Sequence, residues 1–350
     1  MMRGPRVNVT VAIIGWNGGD DIQACLESVL RQSSPVIQTL VVDNGSIDGS
    51  IEKLLALDPD LELIRNHSNV GFARAANEAF AAARGQWLLL LNQDVLLEPD
   101  YLLRLLMAAE ANPSIGSVTG KLLRLGLTPN VIDSAGHVLF RNGWAVNRGE
   151  LELDHGQFDR EEEVFGVCAA AALYRMTMLH DICEGVARPF DERLVSYIED
   201  VDVDWRARWL GWRAWYVPAV AWHRRSGSNV AAVARQARRT VANRLMVVAN
   251  NDLWPSGLLR LPAALAFGFA GTLRSMRRSI DAPLGLIDAL RAVPESRARR
   301  RFLVARRQVT PGEIASWMRP YPYRERLLGL LRKARFRHPG AVPQFVDPGA

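Results

Sequence analysis

The sequence predicts an α/β fold in which a mainly parallel, Rossmann-like sheet is flanked by helices and followed by a helical, basic C-terminal extension. Two observations in the first half of the chain predict the sheet. Short apolar runs recur at a spacing of roughly 22 to 30 residues, and helical patterns lie between them. Strands that alternate with helices form βαβ units, in which both faces of a parallel sheet are buried.

The predicted strands are short runs rich in Val, Ile and Leu. They begin near Val9, Thr39, Leu61 and Trp87. The run that begins at Trp87 continues with four leucines and no polar residue. Such a run is typical of a strand with both faces buried, so we expect it to lie in the middle of the sheet.

Three helical segments are predicted between these strands. In the first, apolar residues recur every three or four positions, and Asp20 or Asp21 is the expected N-cap. Gly85 is the expected C-cap of the third, because glycine readily adopts the left-handed conformation that ends many helices. The three segments comprise residues 20–32, 50–57 and 73–84.

The regular pattern breaks down over residues 125–164, where Gly, Asn and charged residues are frequent. We interpret this region as an irregular insertion with short strands around residues 137–140 and 144–146. After the insertion, residues 200–210 have a helical pattern and residues 215–218 resemble a short strand. The insertion is expected to shape the binding site for a second substrate.

The chain after Ser228 is mostly helical in pattern and rich in Arg, with apolar stretches at 254–273 and 284–293. We therefore expect an α/β domain, a basic helical extension and a disordered tail rich in Pro and Gly. The boundaries are 7–228 for the domain, with parts at 7–124 and 125–228, then 229–337 for the extension and 338–350 for the tail.

Charge is unevenly distributed along the 350 residues, which carry a net charge of +6. Residues 224–350 contain 24 Lys and Arg but only 7 Asp and Glu, whereas the preceding part is acidic overall. A basic segment that also contains Leu and Trp suits an anionic surface, such as the inner leaflet of a membrane. The alternatives are a helical cap or dimer surface, and nucleic-acid binding, for which the segment lacks a known recognition motif.

Two further features concern the location of the protein. The N-terminus lacks a signal-peptide pattern, and the apolar run at 261–273 is too short to span a bilayer as a helix. Three cysteines, Cys25, Cys168 and Cys183, give an odd count without metal-ligand spacing, which argues against a disulfide framework. We therefore expect a cytoplasmic protein in which Cys168 and Cys183 are packed thiols.

Polar residues follow three of the predicted strands. Asn17, Asp43 and Asp94 fall at the carboxyl ends, where ligands bind in such sheets. The first turn lacks the G-x-G-x-x-G spacing, which argues against a dinucleotide oxidoreductase. A diphosphate here would need another counter-charge, and Mg²⁺ or Mn²⁺ held by Asp94 would supply it. The alternative for Asp94 is an ordinary polar turn after a strand.

Three residues near this edge are candidates for contacts with a nucleotide. Asp43 suits the ribose or the base, although a turn carboxylate is the alternative. Gly71 would allow the backbone to approach a ligand closely, and Arg74 would reach a phosphate. The alternative for this pair is a helix start that carries an exposed Arg.

The acidic pair Glu199 and Asp200 opens a predicted helix. One of them is the expected general base, with Asp200 favoured and Glu199 as orienter or second choice. The alternative is that acids merely favour a helix N-terminus, which fits Asp202 and Asp204. His223 is a candidate for a metal or diphosphate contact, since a neutral imidazole suits Mn²⁺, and the alternative is a structural histidine.

With these motifs in this order, the chain resembles the inverting family 2 glycosyltransferases, which have the GT-A fold, and most closely their bacterial rhamnosyltransferase-like members. The resemblance covers about residues 7–228. Two departures are that the metal motif begins with Asn92, so that only Asp94 ligates as a carboxylate, and that Trp16 stands where Tyr is commoner. The resemblance rests on the first strand with Trp16 and Asn17, on segments 42–50, 66–77, 92–94, 190–192 and 197–202, and on His223.

The resemblance implies roles for individual residues. Asp94 and His223 would bind Mg²⁺ or Mn²⁺, and Asp200 with Glu199 would supply the base. It also implies transfer with inversion, with dTDP-rhamnose as the suggested donor and a hydroxyl of a cell-surface polysaccharide or lipid-linked glycan as acceptor. The residues implied to bind the nucleotide-sugar are Asn17, Asp43, Asn44, Ser46, Gly71, Arg74 and Asn92.

Two other classes of protein remain compatible with the sequence. A nucleotidyltransferase would also use acids and a metal on such a sheet, but it would not need a base on a separate acceptor segment. A non-catalytic carbohydrate-binding or scaffold protein would keep the fold. The intact set of Asp43, Asp94, Asp200 and His223 argues against that second alternative.

Overall fold

The computed structural model describes residues 8–183, 185, 188–225, 230–253 and 281–322, together with residues 266, 268, 269, 271–273 and 276. The strands are β1 (Val9–Gly15), β2 (Gln38–Asp43), β3 (Glu62–Arg65), β4 (Trp87–Asn92), β5 (Val95–Leu97), β6 (Ile115–Arg124), β7 (Ile132–Ser134), β8 (His137–Phe140), β9 (Ala145–Asn147), β10 (Glu162–Val164), β11 (Ala171–Arg175), β12 (Arg213–His223) and β13 (Met318–Arg319). The helices are α1 (Gly19–Leu30), α2 (Ser50–Leu57), α3 (Phe72–Ala82), α4 (Tyr101–Ala111), α5 (Met176–Asp181), α6 (Glu199–Trp209), α7 (Val230–Asn251), α8 (Leu284–Arg291), α9 (Val293–Arg306) and α10 (Pro311–Ser316).

The described strands form one large sheet in the order β10-β12-β6-β11-β4-β1-β2-β3, with β5 on β12 and β7 on β6. The part from β4 to β3 is parallel, as the βαβ pattern predicts. Beyond β4 the sheet is mixed, because β11 runs antiparallel to both β4 and β6, whereas β12 runs parallel to β6. A smaller sheet of β13, β8 and β9 lies apart from it.

Strand β4 shows why a continuous apolar run is needed at the centre of the sheet. Leu89 and Leu91 belong to the core under α1, α2 and α4, whereas Leu88 and Leu90 belong to the core under α3, α5 and α6. All four side chains are fully buried. Since alternate side chains point to opposite faces, a strand covered on both sides cannot carry polar residues on either face.

The C-terminal helices pack on α6 through a third core. Trp205 and Trp209 on α6 contact this core together with Met246 on α7 and Leu303 on α9. The indole nitrogen of Trp209 also donates to the carbonyl oxygen of Asn251 at 2.8 Å. The described part of the extension therefore covers the helix that begins with Glu199 and Asp200.

The predicted strands near Val9, Thr39, Leu61 and Trp87 and the predicted helices are confirmed, but both predicted caps are wrong. Gly18 is the N-cap of α1, and the two acids expected to cap it lie within its first turn. Helix α3 ends with an extended Ala83 as its C-cap, two residues before Gly85. Gly85 instead sits against the neighbouring strand, where a Cβ atom would lie 2.6 Å from the Thr10 nitrogen.

The last strand of the domain is much longer than the predicted segment 215–218. It runs from Arg213 to His223 because β6 supplies a parallel partner along most of its length. The register shifts between Tyr216 and Val220, around Pro218, which lacks the N–H group that a regular ladder needs. This extension carries His223 to the carboxyl end of the sheet.

The region predicted as an irregular insertion contains strands β7 to β10, and the short strands expected in it are present as β8 and β9. The predicted stretch 284–293 forms α8 and the start of α9. Most of the stretch 254–273 and the whole tail 338–350 lie outside the described residues. Among the described helices, none is both long enough and apolar enough to cross a membrane.

Candidate active site

A cleft of about 590 Å³ lies at the carboxyl end of β4, between the large sheet, the strands of the insertion, α6 and α7. The cleft is bordered by the turn after β4, the start of α6 and the end of β12. It therefore brings together the predicted metal-binding residues and the predicted general base. The predicted site residues that line this cleft are Asn92, Asp94, Glu199, Asp200 and His223.

The pairing of β5 with β12 brings Asp94 and His223 together. Asp94 lies directly before β5, and Val95 is in register with His223 at the end of β12. The His223 Nε2 atom lies 3.3 Å from an Asp94 carboxylate oxygen, and its Nδ1 atom lies 2.8 Å from Asp133. Because an ionised carboxylate can only accept a hydrogen bond, Nδ1 carries a proton and Nε2 points at Asp94.

Asp133 is a buried anchor for this side of the cleft. Its side chain is fully buried and also pairs with Arg225 at 2.7 Å and with Arg124 at 3.2 Å. Burial alone would raise the pKa of Asp133, but the hydrogen bond with His223 and the charge of Arg225 outweigh burial and lower it. For His223, burial lowers the pKa, whereas the bonds to Asp133 and Asp94 raise it above the ordinary value.

These residues fit a divalent cation. A carboxylate oxygen of Asp94 and the Nε2 atom of His223 are an O,N donor pair of the kind that Mn²⁺ accepts. The hydrogen bond from Nδ1 to a buried carboxylate is the usual arrangement behind a metal-binding histidine, since it fixes the ring and directs Nε2 outward.

Backbone groups and a second histidine hold Asp200. One oxygen of its carboxylate accepts a hydrogen bond from the Ala169 nitrogen at 3.1 Å, and the other accepts from the Val201 nitrogen at 2.9 Å. His137 Nε2 lies 3.6 Å from the first oxygen, and His137 Nδ1 lies 2.7 Å from Asp204. Two histidines in this cleft are therefore each held from behind by a buried carboxylate.

Asp204 sits in a pocket that only glycine permits. Its carboxylate also accepts from the Val167 nitrogen, and a Cβ atom at Gly166 would lie 1.8 Å from one of its oxygens. Burial raises the pKa of Asp204 to about 6, although the bond with His137 opposes that shift. Burial lowers the pKa of His137, but the charge of Asp200 and the bond with Asp204 raise it well above the ordinary value.

Glu199 differs from its neighbour Asp200. It is buried, and its Oε2 atom has no hydrogen-bond partner in the part of the chain that the structure describes. Burial first, and then the nearby charge of Asp200, raise the pKa of Glu199 to about 8. At neutral pH this carboxyl group is therefore mostly protonated.

The loop before α6 is held in an unusual conformation. Val195, Tyr197 and Ile198 all have positive φ angles, which are costly for residues with branched or bulky side chains. The Asn243 side-chain amide on α7 donates to the carbonyl oxygens of this loop at 2.8–2.9 Å. Helix α7 of the extension thus fixes the loop that presents Glu199 and Asp200 to the cleft.

The predicted nucleotide-binding residues at β1 and β2 form a separate network outside the lining of this cleft. The Asn17 nitrogen donates to the Ser46 hydroxyl at 2.8 Å, and the Ser46 nitrogen donates to Asp43 at 2.9 Å. Asp43 is fully buried and pairs with Arg65 at 3.3 Å, and Asn44 bonds to the carbonyl of Gly71. The network adjoins the turn after β4, because the Trp16 backbone exchanges hydrogen bonds with the Gln93 side chain.

The other two residues predicted to bind the nucleotide make contacts within the protein. Gly71 has a φ angle of +86°, and a Cβ atom there would lie 2.6 Å from the carbonyl oxygen of Val195. The close approach that Gly71 permits is therefore to the loop before α6. Arg74 is exposed and pairs with Glu78, one helical turn away, at 3.2 Å. The roles of Gly71 and Arg74 in binding remain predictions.

Sequence reasoning missed several residues of this site. Asp133 and His137 lie in the region interpreted as an irregular insertion, and Cys168, a buried packed thiol as expected, also lines the cleft. Asp202 lies in the first turn of α6, as expected for an acid at a helix N-terminus, but this position does not account for the further contacts of Asp202 and Asp204. Both are buried in side-chain networks that reach other elements. A signal was available for His137, because it stands directly before the apolar run at 138–140 in a region otherwise rich in polar residues.

The fold and the cleft define an α/β transferase of the GT-A type. Residues 10–183 match the model of the family described as Glycosyl transferase family 2. The chain is 24% identical over 229 residues, 60% of its length and 73% of the relative's, to an N-acetylglucosaminyl-diphospho-decaprenol L-rhamnosyltransferase of Mycobacterium tuberculosis. Residues 10–183 therefore form a glycosyltransferase family 2 domain.

Solved structures agree with the fold. TarS residues 1–349 from S. aureus superpose with a TM-score of 0.52 at 16% identity, over 97% of each chain. A mannosyltransferase from Pyrobaculum calidifontis, solved with GDP-Man and Mn²⁺, superposes with a TM-score of 0.50 at 19% identity, over 85% of each chain. At these identities the likeness concerns the fold alone. The predicted GT-A fold with a large sheet flanked by helices is confirmed.

Proposed function

We propose that this glycosyltransferase inverts the anomeric centre of a nucleotide-sugar as it transfers the sugar to an acceptor hydroxyl. The observation that carries the proposal is that Asp200 and the pair of Asp94 and His223 line one cleft. A base for the acceptor and a site for the diphosphate thus face the same space. Holding both substrates there supplies the proximity that a direct displacement needs.

Asp200 is the proposed general base. Two backbone N–H groups fix its carboxylate, and it borders the cleft, so it can take the proton of an acceptor hydroxyl. Glu199 is less suited, because its raised pKa keeps it protonated near neutral pH. We assign Glu199 to the support of Asp200 and not to proton transfer.

Asp94 and His223 are the proposed ligands of Mg²⁺ or Mn²⁺, with Asn92 beside them in the cleft. Such a cation stabilises the negative charge of a departing nucleoside diphosphate. Asp133 keeps His223 in place from behind. Arg225 also lines the cleft, where its charge favours a diphosphate.

The donor proposed is dTDP-rhamnose, and the acceptor is a lipid-linked glycan or a cell-surface polysaccharide. The support is the name of the relative from Mycobacterium tuberculosis, which is an L-rhamnosyltransferase acting on a diphospho-decaprenol compound. The residues proposed to hold the nucleotide are Asn17, Asp43, Asn44, Ser46, Gly71 and Arg74, at the edge of the parallel strands next to the cleft.

A lipid-linked acceptor would require the protein to work at the inner face of the membrane. Helix α8 presents Leu284, Ile287 and Leu290 at a spacing of three residues, with exposed fractions of 40%, 44% and 70%. Apolar side chains on one face of a helix, within a segment rich in Arg, match an interfacial helix on anionic lipid. We propose peripheral binding through this face.

The catalytic proposal is tested by following nucleoside diphosphate release from dTDP-rhamnose, UDP-glucose, UDP-galactose, UDP-GlcNAc and GDP-mannose, with Mn²⁺ or Mg²⁺ and membrane lipid extract. One donor should be turned over. We expect Asp200→Asn to lower kcat by about 10²- to 10⁴-fold, while Glu199→Gln keeps most of the activity. Asp200 would not be the base if Asp200→Asn retained turnover. Loss of turnover in Glu199→Gln alone would make Glu199 the base.

The membrane proposal is tested separately by sedimentation with vesicles of anionic or zwitterionic lipid. The double variant Ile287→Asp and Leu290→Asp should lose binding to the anionic vesicles. Met107→Asp, which changes an exposed residue on α4 in the catalytic part, is the matched control. Equal binding of all variants, or equal binding to both lipids, would remove the interfacial role of α8.

A further inference from the structure

The proposed base and two side chains beside it form a compact cluster with unusual chemistry. His137 comes from β8, Cys168 from the segment before β11, and Asp200 from α6. Each offers one ligand atom, and these nitrogen, sulfur and oxygen atoms all lie within 4.8 Å of one another. His137 and Cys168 are buried and Asp200 is partly buried, yet all three line the cleft.

The donor set differs from that of Asp94 and His223. A thiolate, an imidazole and a carboxylate are typical ligands of Zn²⁺, whereas hard cations such as Mg²⁺ prefer oxygen alone. Zinc bonds to nitrogen and oxygen of about 2.0–2.2 Å place two tetrahedral ligands about 3.4 Å apart. The distance from His137 Nε2 to the Asp200 oxygen is 3.6 Å.

The surroundings of His137 also favour a metal ligand. Asp204 accepts a hydrogen bond from Nδ1 at 2.7 Å, so that Nε2 is directed towards Asp200 and Cys168. A carboxylate behind the histidine is the usual second layer of zinc sites. The Asp204 carboxylate is held in turn by the Val167 nitrogen, and the absence of a side chain at Gly166 makes room for it.

We propose that His137, Cys168 and Asp200 form a Zn²⁺ site whose occupation inhibits the enzyme. On binding, the Cys168 thiol and the N–H group at His137 Nε2 each release a proton to solvent, because zinc takes a thiolate and a neutral imidazole as ligands. Zinc bound there occupies the Asp200 carboxylate and prevents it from accepting a proton from the acceptor. The inhibition rests on the proposed role of Asp200, whereas the binding itself does not.

Metal binding is tested without any substrate. The full-length, metal-free protein is titrated with Co²⁺, which replaces Zn²⁺ and gives a near-ultraviolet charge-transfer band when bound to a thiolate. Wild type and Cys183→Ser should show the band, Cys168→Ser should lack it, and added Zn²⁺ should abolish it. Cys183 is the matched control because it is a free cysteine outside the cleft. A missing band in wild type, or a band that persists in Cys168→Ser, overturns the proposal.

Inhibition is tested with saturating Mn²⁺ and increasing Zn²⁺. Relative to its own turnover without zinc, Cys168→Ser should need at least about tenfold more Zn²⁺ for half inhibition, whereas Cys183→Ser behaves like wild type. Equal inhibition of all three proteins would place the inhibitory metal elsewhere. If no donor is turned over, the catalytic proposal fails, but a band that depends on Cys168 still establishes the zinc site.

Discussion

Glu199 is expected to weaken the fold progressively as the pH rises, and Glu199→Gln should remove this effect. The carboxyl group is buried beside Asp200, and its Oε2 atom has no hydrogen-bond partner among the described residues. These surroundings raise its pKa from 4.5 to about 8. Glutamine has nearly the same shape as the protonated glutamic acid and cannot ionise, so the variant keeps the packing and loses the titration.

The sign follows from proton linkage. Because the pKa in the folded state lies above that in the unfolded state, the folded protein holds the proton more tightly. The stabilisation that this gives is complete below about pH 4.5 and is lost as the pH rises towards 8. One pKa unit corresponds to about 1.36 kcal/mol. Between about pH 5.5 and pH 7.5, the unfolding free energy of Glu199→Gln should therefore gain about 2 kcal/mol relative to wild type.

The assay is urea unfolding of both proteins at several pH values across this range. Glu313→Gln is a useful control, because its hydrogen bonds with Thr310 lower the pKa of Glu313, so that its titration lies below this range. Its difference from wild type should be constant with pH. If the difference in unfolding free energy between Glu199→Gln and wild type is also constant with pH, the pKa of Glu199 is not raised in the folded protein.

Three further outcomes are expected. Arg206→Met should lower the unfolding free energy by about 3–5 kcal/mol in urea, because it leaves the buried carboxylate of Asp202 without its closest cation. Gly71→Ala should cost more than about 2 kcal/mol in the same assay, since it combines a φ angle of +86° with a clash. Asp133→Asn should weaken Mn²⁺ binding about 10- to 100-fold in calorimetry, because His223 loses the carboxylate that orients it.

Each of these outcomes has a control or a result that contradicts it. Lys53→Met breaks the exposed pair with Asp20 and should cost less than about 1 kcal/mol. Gly49→Ala meets a similar φ angle of +78° but no neighbouring atom, so it measures backbone strain alone. Equal losses in Gly71→Ala and Gly49→Ala would contradict the clash. Unchanged Mn²⁺ affinity in Asp133→Asn would argue against His223 as a ligand.

The parallel half of the sheet could be predicted from the sequence because each of its strands is recognisable from its own residues. A strand buried on both faces must be apolar throughout, and Trp87 to Leu91 satisfies that condition without reference to any other segment. The strand from Arg213 to His223 could not be predicted in the same way. Its inner and outer positions alternate, Pro218 interrupts it, and its length depends on β6, about a hundred residues earlier in the chain.

The candidate site, like the sheet, has some residues that local sequence predicts and others that depend on distant segments. Asp94, Asp200 and His223 follow or precede regular elements, so their local context identified them, and the structure places all three in one cleft. The buried carboxylates that bond to the histidines of the cleft could not be predicted from neighbouring residues in the sequence. Asp133 lies 90 residues from His223, and His137 lies 67 residues from Asp204. Asp133 and His223 meet because β7 and β12 both pair with β6, and His137 meets Asp204 because β8 packs against α6.

The two histidines of the cleft have closely similar surroundings. His223 bonds to buried Asp133 at 2.8 Å through Nδ1 and directs Nε2 at Asp94, and His137 bonds to buried Asp204 at 2.7 Å and directs Nε2 at Asp200. The difference lies in the third neighbour. His137 has the Cys168 thiol beside it, whereas the cationic Arg225 shares Asp133 with His223. We therefore expect Zn²⁺ at the histidine that has the thiol beside it, and Mn²⁺ with a diphosphate at the histidine near Arg225.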